Sequence, residues 1–339
     1  MSVNLHSDTQ TRPTSAMRGA MAAAEVGDEQ RGQDPTTAEL ERRVAELLGF
    51  QEAVFLPSGT MCNEIAVRLH IRPGGDELLC DRTAHPITAE AGGPAALSGA
   101  VIAPLDGEGG IFTAAQLRAA LHVDGDRYAP RSRLVSVEQS TNMGGGRIWP
   151  LSSIEEVLGV VREHSLRAHL DGARLMNASL ASGVAPAAYA SGFDTAWIDF
   201  SKGLGAPVGA VLAASSELIA EAWRYKQMMG GALRQSGILA AGCLYALDHN
   251  VERLAEDHAN ARALAEGLAA IPGISIAPDL VETNIVIFEV PDAAAFERAL
   301  APEVDLLAIG PTRVRAVTHL DVARADIDRA LSAIAAVTL

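Results

Sequence analysis

Basic residues are scarce in this chain: 27 Lys and Arg stand against 42 Asp and Glu, a formal net charge of −15. That balance argues against a nucleic-acid partner or an anionic membrane surface, because the attraction to phosphate that drives such binding is missing. Cysteine is rarer still. Cys62, Cys80 and Cys243 are scattered, odd in number and without metal-ligand spacing, so neither a disulfide framework nor a thiolate metal site is expected. Buried, reduced thiols in a cytoplasmic protein are the expectation. Aromatic residues make up 4% of the chain, which leaves core packing to aliphatic side chains. Long apolar runs are absent too. The stretch from Ala95 to Leu105 is too short to span a bilayer and contains Gly99 and Pro104. Met1 to Asp8 has no basic region followed by an apolar one, so no secretory leader is expected there. No compact cluster of metal ligands is visible, and no metal is expected.

What is present is a 339-residue chain with 48% apolar residues, long enough for one large domain and a smaller one. Short apolar runs alternate with longer helical patterns, which predicts an α/β fold with a mixed, mainly parallel sheet. Strands are predicted over 53–56, 77–80, 134–137, 168–170, 195–200 and 208–213. Helices are predicted over 37–48, where Leu40, Val44, Leu47 and Leu48 share a face, over 63–69, and over 238–264. From Pro272 the pattern changes to strands over 284–288 and 313–318 with helices over 293–300 and 326–336. The division expected is a large domain over 1–249 and a small C-terminal α+β domain over 250–339.

Three segments carry chemistry. Lys202 lies in Asp199-Phe200-Ser201-Lys202-Gly203-Leu204-Gly205, directly after an apolar strand, where a partly desolvated amine is a good nucleophile. Asp171 ends a predicted strand in His169-Leu170-Asp171-Gly172-Ala173-Arg174, at the sheet edge where open α/β sheets bind ligands. Pro57-Ser58-Gly59-Thr60 falls where a strand turns into a helix, and backbone N–H groups at a helix start bind anions. A Schiff-base lysine, an aspartate for a ring nitrogen and a phosphate cradle together are what pyridoxal phosphate (PLP) requires. Arg174 offers a planar fork for a carboxylate. His85, between Asp81-Arg82-Thr83-Ala84 and Glu90-Ala91-Gly92-Gly93, can stack on a ring or move protons.

With those segments in place, the chain resembles the low-specificity L-threonine aldolases, in the aspartate-aminotransferase-like fold of PLP enzymes. The resemblance rests on Ser7-Asp8-Thr9, Asp34-Pro35-Thr36, Pro57-Ser58-Gly59-Thr60 with Asn63, and Ala84-His85. It continues through Glu90-Ala91-Gly92-Gly93, Asp171-Gly172-Ala173-Arg174, Ser201-Lys202-Gly203, Arg234-Gln235-Ser236-Gly237, and Arg315 before Val317-Thr318-His319. It implies that Lys202 carries the cofactor with Ser201 beside it, that Asp171 pairs with the ring nitrogen, and that His85 stacks on the ring. Ser58, Gly59 and Thr60 would hold the phosphate, with Arg234 reaching a neighbouring subunit's phosphate. Ser7, Arg174 and Arg315 would hold an amino-acid carboxylate. The implied reaction is cleavage of a β-hydroxy-α-amino acid to glycine and an aldehyde, in a homotetramer built from tight dimers. Other PLP reactions on an amino acid, β-elimination or transamination, and a non-catalytic protein of this fold are the competing readings.

The chain departs from that pattern near the substrate. Glu29-Gln30-Arg31-Gly32 replaces the usual Asp-Val-Tyr-Gly, Tyr128 stands where histidine is common, and Glu138-Gln139-Ser140-Thr141-Asn142 replaces Glu-Asn-Thr-His-Asn. A basic doublet is here Lys226-Gln227. The changes at Arg31, Tyr128 and Thr141 bear on the substrate side chain, and Tyr128 is counted among the candidate substrate-binding residues.

Overall fold

A computed structural model of the chain describes residues 2–122 and 126–337. The first strand, β1 (Val3–Asn4), is followed by β2 (Glu52–Leu56), β3 (Glu77–Asp81), β4 (Val101–Leu105), β5 (Ser132–Glu138), β6 (Arg167–Gly172), β7 (Thr195–Asp199) and β8 (Ala210–Ala214). The last seven form one sheet in the order β2-β8-β7-β6-β5-β3-β4. From β4 through β7 every pairing is parallel, and β8 alone runs antiparallel to both its neighbours. Every residue of β3, β7 and β8 is buried, as expected of strands covered on both faces by helices. This accounts for their apolar stretches over 78–80, 196–198 and 210–214.

The helices follow from local signals. Asp34 caps helix Pro35–Leu48 through the Thr37 N–H at 2.9 Å, and Gly49 ends it in the left-handed region at φ 76°. Leu40, Val44 and Leu48 on its inner face are buried in the main core. Ser58 caps helix Gly59–His70 by accepting from the Met61 N–H at 3.2 Å.

Two expectations change. The helix expected over 238–264 is two helices, Gly237–His249 and Leu254–Ala269. They are interrupted where the Asn250 side chain turns to donate to the Leu204 carbonyl at 2.7 Å, behind the Lys202 turn. Val101–Leu105, the end of the stretch over 95–105 read only as too short to span a membrane, is the edge strand β4.

A second sheet of three antiparallel strands, order β11-β12-β9, comprises β9 (Ile285–Glu289), β11 (Leu307–Ala308) and β12 (Arg313–Val317). Strand β10 (Val304–Asp305) pairs instead with β1, so the N-terminal residues Val3 and Leu5 belong to the core of this C-terminal unit. The Leu5 carbonyl accepts from the Val317 N–H at 2.8 Å. Ser7 and Arg315 are thereby delivered together, from opposite ends of the chain, towards the carboxyl edge of the large sheet. Among the described residues no helix is long and apolar enough to cross a membrane.

Candidate active site

Strands β5 and β7 end in carboxylates, Glu138 and Asp199, β6 carries Asp171 one residue before its end, and a cavity of about 320 Å3 opens where they stop. Ten of the residues singled out from sequence line it: Ser7, Ser58, Gly59, Thr60, His85, Asp171, Arg174, Ser201, Lys202 and Arg315. The cavity therefore gathers segments spread over most of the chain.

Lys202 sits in the turn after β7. Its Nζ lies 3.1 Å from Asp199 Oδ2, and its backbone carbonyl accepts from Thr11 Oγ1 at 3.0 Å and from the Gly205 N–H at 2.9 Å. Asp199 Oδ1 accepts from both the N–H and the hydroxyl of Ser201, at 2.9 and 2.7 Å. Asp199 thus holds the turn and the amine at once. Across the cavity the first turn of helix Gly59–His70 has N–H groups with no acceptor within the helix. A side chain at position 59 is impossible without movement, because a Cβ there would fall 2.2 Å from the buried Trp197 ring.

Asp171 is 1% exposed, and burial pushes its carboxyl up against the opposing charges of His85 and Lys202. Its orientation is set by Asn63. The Trp197 indole N–H can only donate, and it reaches Asn63 Oδ1 at 2.8 Å, so the Asn63 amide nitrogen must face the other way. That nitrogen donates to Asp171 Oδ2 at 2.8 Å and to Glu90 Oε1 at 2.7 Å. The same constraint passes outward. His169 Nε2, 3.0 Å from Asn63 Oδ1, must donate, and its Nδ1 accepts from the Thr195 hydroxyl at 2.8 Å. The Thr195 oxygen then accepts from His70 Nε2 at 3.1 Å. Burial holds both rings neutral, His70 lowered to about 4 and His169 to about 3. From Asp171 through Asn63, His169 and Thr195 to His70 each of these contacts joins a donor to an acceptor, which makes the chain a rigid mount.

His85 lines the same cavity. Its backbone N–H donates to Glu138 Oε2 at 3.1 Å, and its Nδ1 lies 2.7 Å from Glu90 Oε1. Burial opposes its charged form, but the Glu90 hydrogen bond and the Asp171 and Glu90 charges move it upward overall. Glu138, which also accepts from the Asn142 N–H at 2.6 Å, is raised to about 7 by burial and by the Asp171 charge.

The two arginines differ in their freedom. Arg174 is 5% exposed and turns its fork on Asp8, with Nε and Nη2 at 2.8 and 2.6 Å from the two carboxylate oxygens. Asn284 donates to the same carboxylate at 3.1 Å. Arg315, on β12, donates to Asn142 Oδ1 at 2.8 Å and to the His6 carbonyl at 3.2 Å, and its buried Nε has no partner. Burial and the Arg174 charge bring it down to about 10. Two guanidinium groups thus share one aspartate at the cavity wall, leaving positive charge for an incoming carboxylate.

Two sequence-selected residues lie elsewhere. Tyr128 is 99% exposed and outside the cavity, and Arg234 is on the surface with Nη1 3.2 Å from Asp28. Thr141 is buried away from the cavity, against the glycine turns at Gly110 and Gly144. Two departures from the family pattern form one contact: Lys226, fully buried, pairs with Glu29, whose other oxygen accepts from the Leu233 N–H at 2.7 Å. Asp8, Asn63, Glu90, Glu138 and Asp199 all act on the site, yet sequence reading assigned them no role. The signal available was their adjacency to selected residues; polar type alone does not reveal a buried partner.

A family description, β-eliminating lyase, matches residues 4–292. The chain is 39% identical to the low specificity L-threonine aldolase of Escherichia coli K12 over 325 residues, 95% of each chain. It is 37% identical to low-specificity L-threonine aldolase 1 of Arabidopsis thaliana, covering 98% of this chain and 95% of the other. Among solved structures, the threonine aldolase of Leishmania major superposes with a TM-score of 0.84 at 22% identity, covering 98% of each chain, and so shares the fold.

Proposed function

The chain belongs to the β-eliminating lyase family and, within it, to the low-specificity L-threonine aldolases, and from that premise we propose that it cleaves L-threonine, L-allo-threonine or a related β-hydroxy-α-amino acid to glycine and an aldehyde. It is a PLP-dependent lyase. The residues lining the cavity fit that cofactor. Lys202 offers an amine, Asp171 a buried carboxylate whose burial a cationic ring nitrogen would offset, and helix Gly59–His70 the N–H groups of Gly59 and Thr60 beside the Ser58 and Thr60 hydroxyls. Lys202 would hold it covalently, flanked by Ser201. Asp171 would pair with the ring nitrogen, His85 would stack on the ring, and Ser58, Gly59 and Thr60 would take the phosphate. When bound, PLP supplies an electron sink for the pair released as a bond to Cα breaks.

The protein's own residues decide which bond that is. Arg315, with Arg174 braced by Asp8, and Ser7 hold the substrate carboxylate, and fixing that group fixes the rotation about Cα. The His85 Nδ1–H donates to Glu90 Oε1, so Nε2 is the atom that takes the β-hydroxyl proton. Glu90 then faces the imidazolium and stabilises it. The single observation carrying this reading is the convergence of Lys202, Asp171, His85 and Arg315 on one cavity.

We extend the reading to the assembly. Arg234 and Tyr128 lie outside their own chain's cavity and serve a neighbouring subunit's, Arg234 its phosphate and Tyr128 its substrate, in a cytoplasmic homotetramer made of two dimers. Three buried, unpaired cysteines agree with a reducing compartment. Sedimentation of the purified protein as a monomer would rule the assembly out.

Product analysis tests the reaction. The protein, incubated with L-threonine, L-allo-threonine, L-phenylserine and L-serine, is expected to release glycine and the matching aldehyde from at least one β-hydroxy acid. Ammonia plus keto acid in place of glycine overturns the reading in favour of β-elimination.

A further inference from the structure

Behind His85 lies a second carboxyl that the reaction as described does not use. Glu64, on helix Gly59–His70, and Glu90 are 4% and 5% exposed. Glu90 Oε1 is fully engaged, accepting from Asn63 Nδ2 and meeting His85 Nδ1, both at 2.7 Å. Glu90 Oε2 and both oxygens of Glu64 are buried without any donor from the rest of the protein. Glu64 and Glu90 are within hydrogen-bonding reach of one another. Gly93 makes room for this contact, since a Cβ there would lie 1.8 Å from Glu64 Oε1.

Ionised carboxylates only accept, so two of them facing each other in a buried site leave three oxygens unsatisfied and two like charges adjacent. One proton between them removes the like-charge contact and engages two of the three oxygens: a protonated Glu64 donates to Glu90 Oε2, and one charge remains. It rests on Glu90, whose other oxygen already has two partners. We infer that Glu64 and Glu90 share a single proton and act as a paired positioning device that keeps the charge behind His85 at one rather than two.

The consequence concerns proton exchange at His85 Nε2. A single negative charge supports the imidazolium while still letting it give the proton up. A doubled charge would hold the ring cationic and remove it as a base. Glu64 is raised to about 8 by burial together with the Glu90 hydrogen bond and charge, so the pair carries its proton throughout the neutral range. Facing the same cluster are Asp171 from β6, Glu138 from β5, Lys202 from the turn after β7, and the Cys80 thiol of β3. Burial pushes that thiol above its ordinary range, so it stays neutral.

This inference rests on the reading of His85 as the group that exchanges the substrate proton, and its test has one arm that needs no substrate. Infrared difference spectra of the purified full-length protein, taken across the region around pH 8, are expected to lose a protonated carboxyl C=O band as pH rises. The band is expected to lose one carboxyl's amplitude in Glu64→Gln, which keeps shape and donor but cannot ionise. In the second arm, the basic limb of the kcat/KM profile for threonine cleavage moves to higher pH in Glu64→Gln, because the second charge no longer forms. A wild-type protein with no such band, or wild-type and Glu64→Gln proteins that lose the same band amplitude, overturn the shared proton, since Glu138, raised to about 7, contributes equally to both. A basic limb unmoved by Glu64→Gln overturns the positioning role. Neither infrared result depends on whether the chain is an aldolase.

Discussion

Replacing Asp8 by asparagine removes the charge facing Arg174 while keeping the size of the side chain. In the native protein Asp8 is wholly buried, accepts two bonds from the Arg174 fork and one from Asn284. Burial alone would raise its carboxyl, but the Arg174 charge and bonds, the Lys202 charge and Asn284 outweigh it and lower it from 3.8 to about 2. Breaking such a buried pair from one side costs about 3–5 kcal/mol, because the remaining charge is left without a partner. The asparagine oxygen still accepts one bond, so Asp8→Asn is expected at the low end, about 3 kcal/mol, read as a fall in the urea midpoint at unchanged slope. The acid limb gives a second reading. A carboxyl lowered by nearly two units contributes about 2 kcal/mol above its unfolded value, and this is lost as pH falls from about 4 through about 2. Asp8→Asn lacks that ionisation and its stability is flatter in this window. The freed Arg174 fork also loses its brace, so KM for threonine rises by about tenfold. Stability within about 1 kcal/mol of wild type at neutral pH, with an unchanged acid limb, would refute the view that this pair is a mutually dependent buried ion pair.

Lys202→Ala is expected to abolish covalent attachment of the cofactor: after borohydride reduction, mass spectrometry finds PLP on the wild-type chain and none on the variant, and a labelled variant would end the assignment. Gly59→Ala drives a methyl into the Trp197 ring at the start of helix Gly59–His70. It is expected to cost about 1–3 kcal/mol and to weaken PLP binding about tenfold in a spectroscopic titration, with native affinity counting against a phosphate seat there.

Much of the site was legible in the sequence because its chemistry is written in short segments. Lys202 between Ser201 and Gly203, Asp171 before Gly172, and Ser58-Gly59-Thr60 each sit at a strand end or helix start that local pattern already indicates, and each lines the cavity. Six of the seven strands of the large sheet were legible for a similar reason, since burial on both faces leaves short apolar runs, whereas the largely exposed edge strand Val101–Leu105 was not. The helix over 238–264 was misread because alanine-rich helical character continues through Asn250. What stops the helix there is a side-chain bond to Leu204, a partner 46 residues away.

The sequence by itself determined the reactive groups, the family and the cofactor, since these depend on residue type and near-neighbour spacing. Tertiary structure alone decided how those groups are held. It folded Leu5 into the C-terminal core so that Ser7 meets Arg315, closed the Arg174 fork on Asp8, and left Tyr128 and Arg234 outside their own chain's cavity. It joined Glu29 to Lys226 across 197 residues, and it set Glu64 against Glu90 behind His85. The physical reason is common to all of these. The charge and hydrogen-bonding state of a buried polar group depend on whichever distant group packing sets beside it, and linear order carries no record of that partner.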